Sequence, residues 1–177
     1  MKLKLISLII SFSIILGAGG YDHGTAAGKG NWDISLTWNL FNYFEQGQSY
    51  AILGYGLTEK IDIHAYYSSI KKDGGNYYGG LFYQFLKTKH LDLATAVGIR
   101  AFTMDTRTNL FFPQLLYTIR LTNKTKLGGS FVNIINQSLE AREGTTIDIF
   151  FIRKIYDSDK IQIDFSLGVF HPVLWEP

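Results

Sequence analysis

Apolar and polar side chains alternate along most of this chain with a period of two, the signature of strands whose two faces meet different surroundings. Trp32, Ile34, Leu36, Trp38 and Leu40 alternate with Asp33, Ser35, Thr37 and Asn39. Ile61, Ile63, Ala65 and Tyr67 alternate in the same way with Asp62, His64, Tyr66 and Ser68. Near the end, Ile161, Ile163, Phe165 and Leu167 alternate with Gln162, Asp164 and Ser166. The pattern predicts nine strands, over 32–41, 49–57, 61–70, 77–86, 91–102, 110–121, 126–136, 145–155 and 161–170. Most have the ~9–11 residues that cross a bilayer at a tilt, and several exceed the five or six typical of soluble strands.

The connections fall into two sets. Thr58–Lys60, Lys87–His90, Thr122–Thr125 and Asp157–Lys160 are short and polar, and they occupy every second junction. Phe44–Gln48, Lys71–Asn76, Asp105–Asn109 and Gln137–Gly144 fill the others and are mostly longer. Short turns on one rim and longer loops on the other are the habit of transmembrane barrels. The predicted fold is therefore all-β: an antiparallel up-and-down transmembrane β-barrel of eight to ten strands.

The two ends of the chain read differently from its middle. In residues 1–19, Lys2 and Lys4 precede an apolar run, Leu5 to Leu16, broken only by Ser7, Ser11 and Ser13 and followed by Gly17-Ala18-Gly19-Gly20. That is the layout of a secretory signal peptide, and the run is short of the ~20 residues a spanning helix needs. Residues 20–31 form a glycine-rich lead-in, expected to be flexible and able to plug the lumen. It superficially resembles a phosphate loop, but three residues separate Gly24 from Gly28 and no Ser or Thr follows Lys29. Residues 32–177 are the barrel domain. A ninth strand rising from the turn rim leaves His171–Pro177 on the far side. Bacterial single-chain barrels have even strand numbers, so either a descending tenth strand is missing from the chain or one of the nine is wrong and the barrel has eight.

Charge and composition narrow the reading. Removing Lys2 and Lys4 from the 17 basic residues leaves 15, equal to the 15 acidic ones, so no basic surface for nucleic acid survives export. Cysteine is absent, so disulfides do not stabilise the domain, whereas a closed sheet pairs its backbone groups without them. The aromatic share is 15%, which suits a barrel with rings at two membrane interfaces. Trp32, Trp38, Tyr43, Phe44, Tyr77, Tyr78, Phe85, Phe111, Phe112, Tyr156 and Trp175 lie near predicted strand ends. In a membrane barrel the apolar phase faces lipid and the polar phase lines the interior. That phase predicts Asp33, Asp62, His64, Arg100, Gln114, Arg120, Asp148 and Asp164 as lumen-lining. With both signs present, they read either as a salt-bridged filling or as a constriction that selects a solute.

Catalysis finds little support. Asp62, His64 and Ser68 share one face of a strand, but positions two and four apart lie ~7 and ~13 Å apart along its axis, too far for a proton relay. No histidine pair has the spacing of zinc ligands, and no catalytic residue, cofactor or metal is expected.

Two passages carry a resemblance. Gly28-Lys29-Gly30-Asn31-Trp32-Asp33 resembles the "GKGNWE"-type entry of the outer-membrane transporter-like family of phenol-degradation meta-pathway proteins. Tyr55-Gly56-Leu57-Thr58-Glu59-Lys60-Ile61-Asp62-Ile63 resembles the "YGLTDRLDL" hairpin found there and in other outer-membrane barrels. The resemblance implies a bacterial outer-membrane barrel that passes hydrophobic small molecules and has no catalytic residues. The expected partners are outer-membrane lipid and a small-molecule solute. Two alternatives stand beside passive transport or binding: a closed structural or adhesive outer-membrane barrel, and a secreted soluble lipocalin-like carrier. The oligomeric state is not legible.

Overall fold

The computed structural model describes residues 8–16, 23–39, 46–70, 74–103, 108–136, 142–158 and 161–174. At 8–16, 37–39, 46–49, 70, 136, 142–143 and 170–174 it describes the backbone alone. Every regular element among them is a strand: β1 Leu8–Leu16, β2 Trp32–Asn39, β3 Gln46–Gly56, β4 Ile61–Ile70, β5 Gly74–Lys87, β6 Leu91–Phe102, β7 Thr108–Arg120, β8 Thr125–Asn136, β9 Arg142–Asp157 and β10 Ile161–Leu174. Strands β2 to β10 pair with their sequence neighbours in an antiparallel up-and-down order. They coincide with the nine predicted from alternation. The main difference is that β5, β9 and β10 run longer.

The tenth strand comes from an unexpected place. β1, the stretch read as an export signal, lies between β2 and β10, parallel to both, and completes a closed circuit of ten. No helix of the described residues is long and apolar enough to cross a membrane.

The four short turns share one construction. Thr58, Thr88, Thr122 and Ser158 each stand three residues before the next strand begins, and each hydroxyl accepts from a backbone N–H within the turn. A side chain that satisfies the turn's own amides lets the chain reverse without a glycine. The rim that these turns form is called the turn side below, and the opposite rim the loop side.

Alternation sorts the side chains as the period of two requires. Leu36, Ile63 and Phe165 are 44%, 44% and 38% exposed, whereas Asp33, Asp62 and Asp164 are buried. The outer wall carries Leu53, Leu81, Ile99, Leu115, Phe151 and Leu167, all exposed. The inner face carries Asp92, Asp148, Asn109, Gln84 and Thr118, all buried. This is the reverse of a water-soluble barrel, whose filling is apolar. The filling is not polar throughout: Phe82, Leu116 and Phe150 point inward at 0% exposure, and Ile52, Ala94, Ala96, Val132, Ile134 and Ile152 are buried as well.

Candidate functional site

The interior has two distinct zones. On the turn side, the glycine-rich lead-in does not hang free; residues 23–28 lie inside the barrel as its floor. Gly28 and Gly30 adopt positive φ, 82° and 79°, which turns the chain inward just before β2. Gly30 N–H donates to the Gly56 carbonyl and Asn31 N–H to that of Gly28. From there the segment crosses four successive strands. Ala27 N–H donates to Asp62 Oδ2 at 2.8 Å on β4, and Ala26 N–H to Gln84 Oε1 at 3.1 Å on β5. Thr25 Oγ1 donates to Asp92 Oδ2 at 2.8 Å on β6, and Gly24 N–H to Thr118 Oγ1 at 2.9 Å on β7. His23 Nε2 ends the path, 3.0 Å from Asp33 Oδ2 on β2.

A non-regular segment carries amides that must be satisfied wherever water is excluded. Here the inward polar side chains of the wall supply the partners. Two close approaches fix the seating. A Cβ on Gly56 would come within 1.9 Å of the Gly28 carbonyl oxygen, and one on Gly24 within 2.7 Å of the Leu116 carbonyl oxygen. Backbone lies against backbone at both points, so neither position tolerates a side chain.

Beside the plug, charged pairs line the rest of the turn-side interior. Arg120 donates to both carboxylate oxygens of Asp92, which is fully buried. Lys126 Nζ and Gln162 Nε2 both donate to Asp164. Higher on β8 and β9, Ser130 Oγ donates to Asp148 Oδ2 at 2.5 Å.

On the loop side, rings replace ion pairs. Ile52, Tyr66, Tyr78, Arg100 and Asn109 stand opposite one another on five adjacent strands, β3 to β7. Tyr66 and Tyr78 stack at 4.8 Å with planes 6° apart, Tyr50 meets Tyr66 edge-on at 4.8 Å, and Phe111 meets Tyr78 edge-on at 5.3 Å. Arg100 donates twice to Asn109 Oδ1 and lies over the rings of Phe102 and Phe111. The Tyr78 hydroxyl is met by His64 Nε2 at 3.0 Å and accepts from Gln114 Nε2 at 2.9 Å. Room for its ring comes from Gly98, where a Cβ would fall 2.2 Å from the Tyr78 hydroxyl.

All eight residues picked out by phase are inward-facing, but they do not form one site. Asp33 and Asp62 hold the plug, Arg120 and Asp164 belong to the turn-side pairs, His64, Gln114 and Arg100 to the ring zone, and Asp148 to a separate pair with Ser130. Three plug-holding residues, Gln84, Asp92 and Thr118, escaped the sequence reading, although their even positions beside Phe82 and Leu116 place them in the inward phase. Tyr78 and Phe111 correct it: read as strand-end rings for a membrane interface, both turn inward, Tyr78 buried and Phe111 packed against the inner cluster. Trp32, Tyr77, Phe85, Phe112 and Tyr156 are exposed on the outer wall. The side chain of Trp38 and the residues Tyr43, Phe44 and Trp175 lie outside the described set.

Among the described residues, no group of three or more His, Asp or Glu is placed to hold a metal. No protein-family model, no curated protein and no solved structure matches this chain.

Proposed function

We propose that this chain is an outer-membrane β-barrel that binds a small solute and lets it pass when the lumen opens. One observation carries the membrane reading: the wall is apolar outside, from Leu36 to Val169, while the inward face buries the carboxylates of Asp62, Asp92 and Asp148. A charge-bearing filling under a continuous apolar coat fits a lipid surround, and so large an exposed apolar area in water would drive aggregation. A lipocalin-like carrier would need the opposite orientation of both sets. Residues 1–19 have the layout of an export signal, whose removal would take β1 away and leave nine strands to close, and the entry and hairpin resemblances agree with an outer-membrane barrel.

Carbonate-washed membranes from expressing cells provide the test. The expected result is retention in the outer-membrane fraction, release only by detergent, and a band whose migration shifts on boiling. Recovery of folded protein from the periplasm without detergent would refute the proposal. A second reading, a closed structural barrel, is favoured by the inward filling of Phe82, Leu116 and Phe150. Solute flux across planar bilayers separates the two, because a permanently closed lumen gives none in any variant.

A further inference from the structure

Between the plug and the β7–β10 wall, a cavity of about 580 Å³ opens toward the turn side. That volume lies within the range of small-molecule sites. One wall is the lead-in, through His23, Thr25 and Ala26. The other carries Arg120, Lys126 and Lys154, with Lys89 and His90 reaching in from the β5–β6 turn. Asp164 is the one acid of the lining.

The register makes this cluster unusual. Arg120 and Lys126 are direct cross-strand partners on β7 and β8, both side chains lining the cavity. Like charges directly opposite on a sheet destabilise it, and Asp92 and Asp164 offset the two only from their flanks. Lys154 pairs with Asp157, which is exposed at the rim and weakly held. Asp33 meets His23 on the facing wall, so it and those three acids match the four lysine and arginine side chains in number; Lys89 is the one of the four outside these ion pairs, and the attraction for an anion is local to its side of the cavity. The lining is not all polar: Ile152, the register partner of Lys126, is buried in one wall and Ala26 in the facing one.

The geometry points to a binding site for a small organic anion, its carboxylate or phosphate among Lys126, Lys154 and Lys89 and its carbon skeleton on Ile152 and Ala26. The site lies inside the wall, so a free solute reaches it from the turn side, whereas a lipid headgroup would have to leave the bilayer plane. This rests on the barrel reading above and names the class of its solute. Since the lead-in forms one wall, an occupant also touches the segment that blocks the lumen.

The test uses the refolded full chain in non-ionic detergent, with succinate and inorganic phosphate as anionic probes and erythritol as the neutral one. Titration calorimetry is expected to give a Kd on the order of 1 mM for the anions, about −4 kcal/mol, weakening as salt is added. Methyl spectra of the wild type should show Ile152 shifting and Ile134, outside the cavity, unmoved. The double variant K89Q/K154Q, both at the rim, should weaken succinate about tenfold while K29Q changes nothing. Equal binding of erythritol, no binding of either anion at 20-fold the expected Kd, or full affinity in the double variant would overturn the proposal. So would an Ile152 shift produced by phosphatidylglycerol in the micelle but by neither free anion. A boil-sensitive, membrane-integral chain that fails these titrations would remove the anion site and leave the barrel reading standing.

Discussion

The turn-side half of the lumen is filled by a length of main chain, and the loop-side half by rings rooted in the wall. The floor of residues 23–28 is held by five wall side chains on five strands, each making a single hydrogen bond or ion-pair contact. The ring zone is held by stacking of Tyr50, Tyr66, Tyr78 and Phe111 and by the notch at Gly98. A net hydrogen bond contributes about 0.5–1.5 kcal/mol, and more to a charged acceptor, so releasing the floor as a unit costs several kcal/mol but breaks no strand pairing. The rings cannot move without repacking the sheet. The two fillings thus differ in kind: one is a removable part, the other a piece of the wall.

Three substitutions test that division. The largest loss of stability is expected for Asp92→Ala, which leaves Arg120 without its carboxylate and Thr25 without its acceptor. Breaking a buried pair costs about 3–5 kcal/mol, and Arg120's partial exposure places the effect near the lower end. Urea midpoints in lipid or micelles measure it, and an unchanged midpoint would mean that the pair is solvated. Next is Gly98→Ala, expected to cost about 1–3 kcal/mol by overpacking Tyr78 and to alter the tyrosine near-ultraviolet dichroism while the floor stays seated. The smallest change in stability, with the largest change in behaviour, belongs to Gly56→Ala. It is expected to lower stability by about 1 kcal/mol while unseating Gly28 and speeding trypsin cleavage at Lys29. If Gly98→Ala freed the lead-in as readily as Gly56→Ala, the two halves would be one coupled unit.

The wall was legible because a period of two is a local property. Asp33, Asp62 and Asp164 declare their face through their immediate neighbours, and the Thr58 and Thr88 turns mark where each run stops. The contents of the lumen were less so. Gln84 and Thr118 gain their role from amides some 60 and 90 residues away in sequence, a pairing that no local pattern encodes. Tyr78 beside Tyr77 looks like an interface ring, and only the register that sets it against Gly98 and Tyr66 turns it inward. The lead-in was expected to reach the lumen, but its path across β4 to β7 depends on sheet closure, a property of the whole chain.

One detail of the closure bears on what export would do. β1 sits level with both of its neighbours, Ile9 facing Asp33 and Gln162, and Ser11 facing Ser35 and Asp164. If residues 1–19 were removed as an export signal, the two rims left would match rung for rung, inside faces already aligned. Joining them takes an inward step of one strand spacing, about 4.8 Å, and no sliding. The resulting weld would be the sole parallel joint between described strands, and parallel pairing is slightly the weaker kind. A cylinder built in this way carries its own zipper, at Asp33 and Gln162.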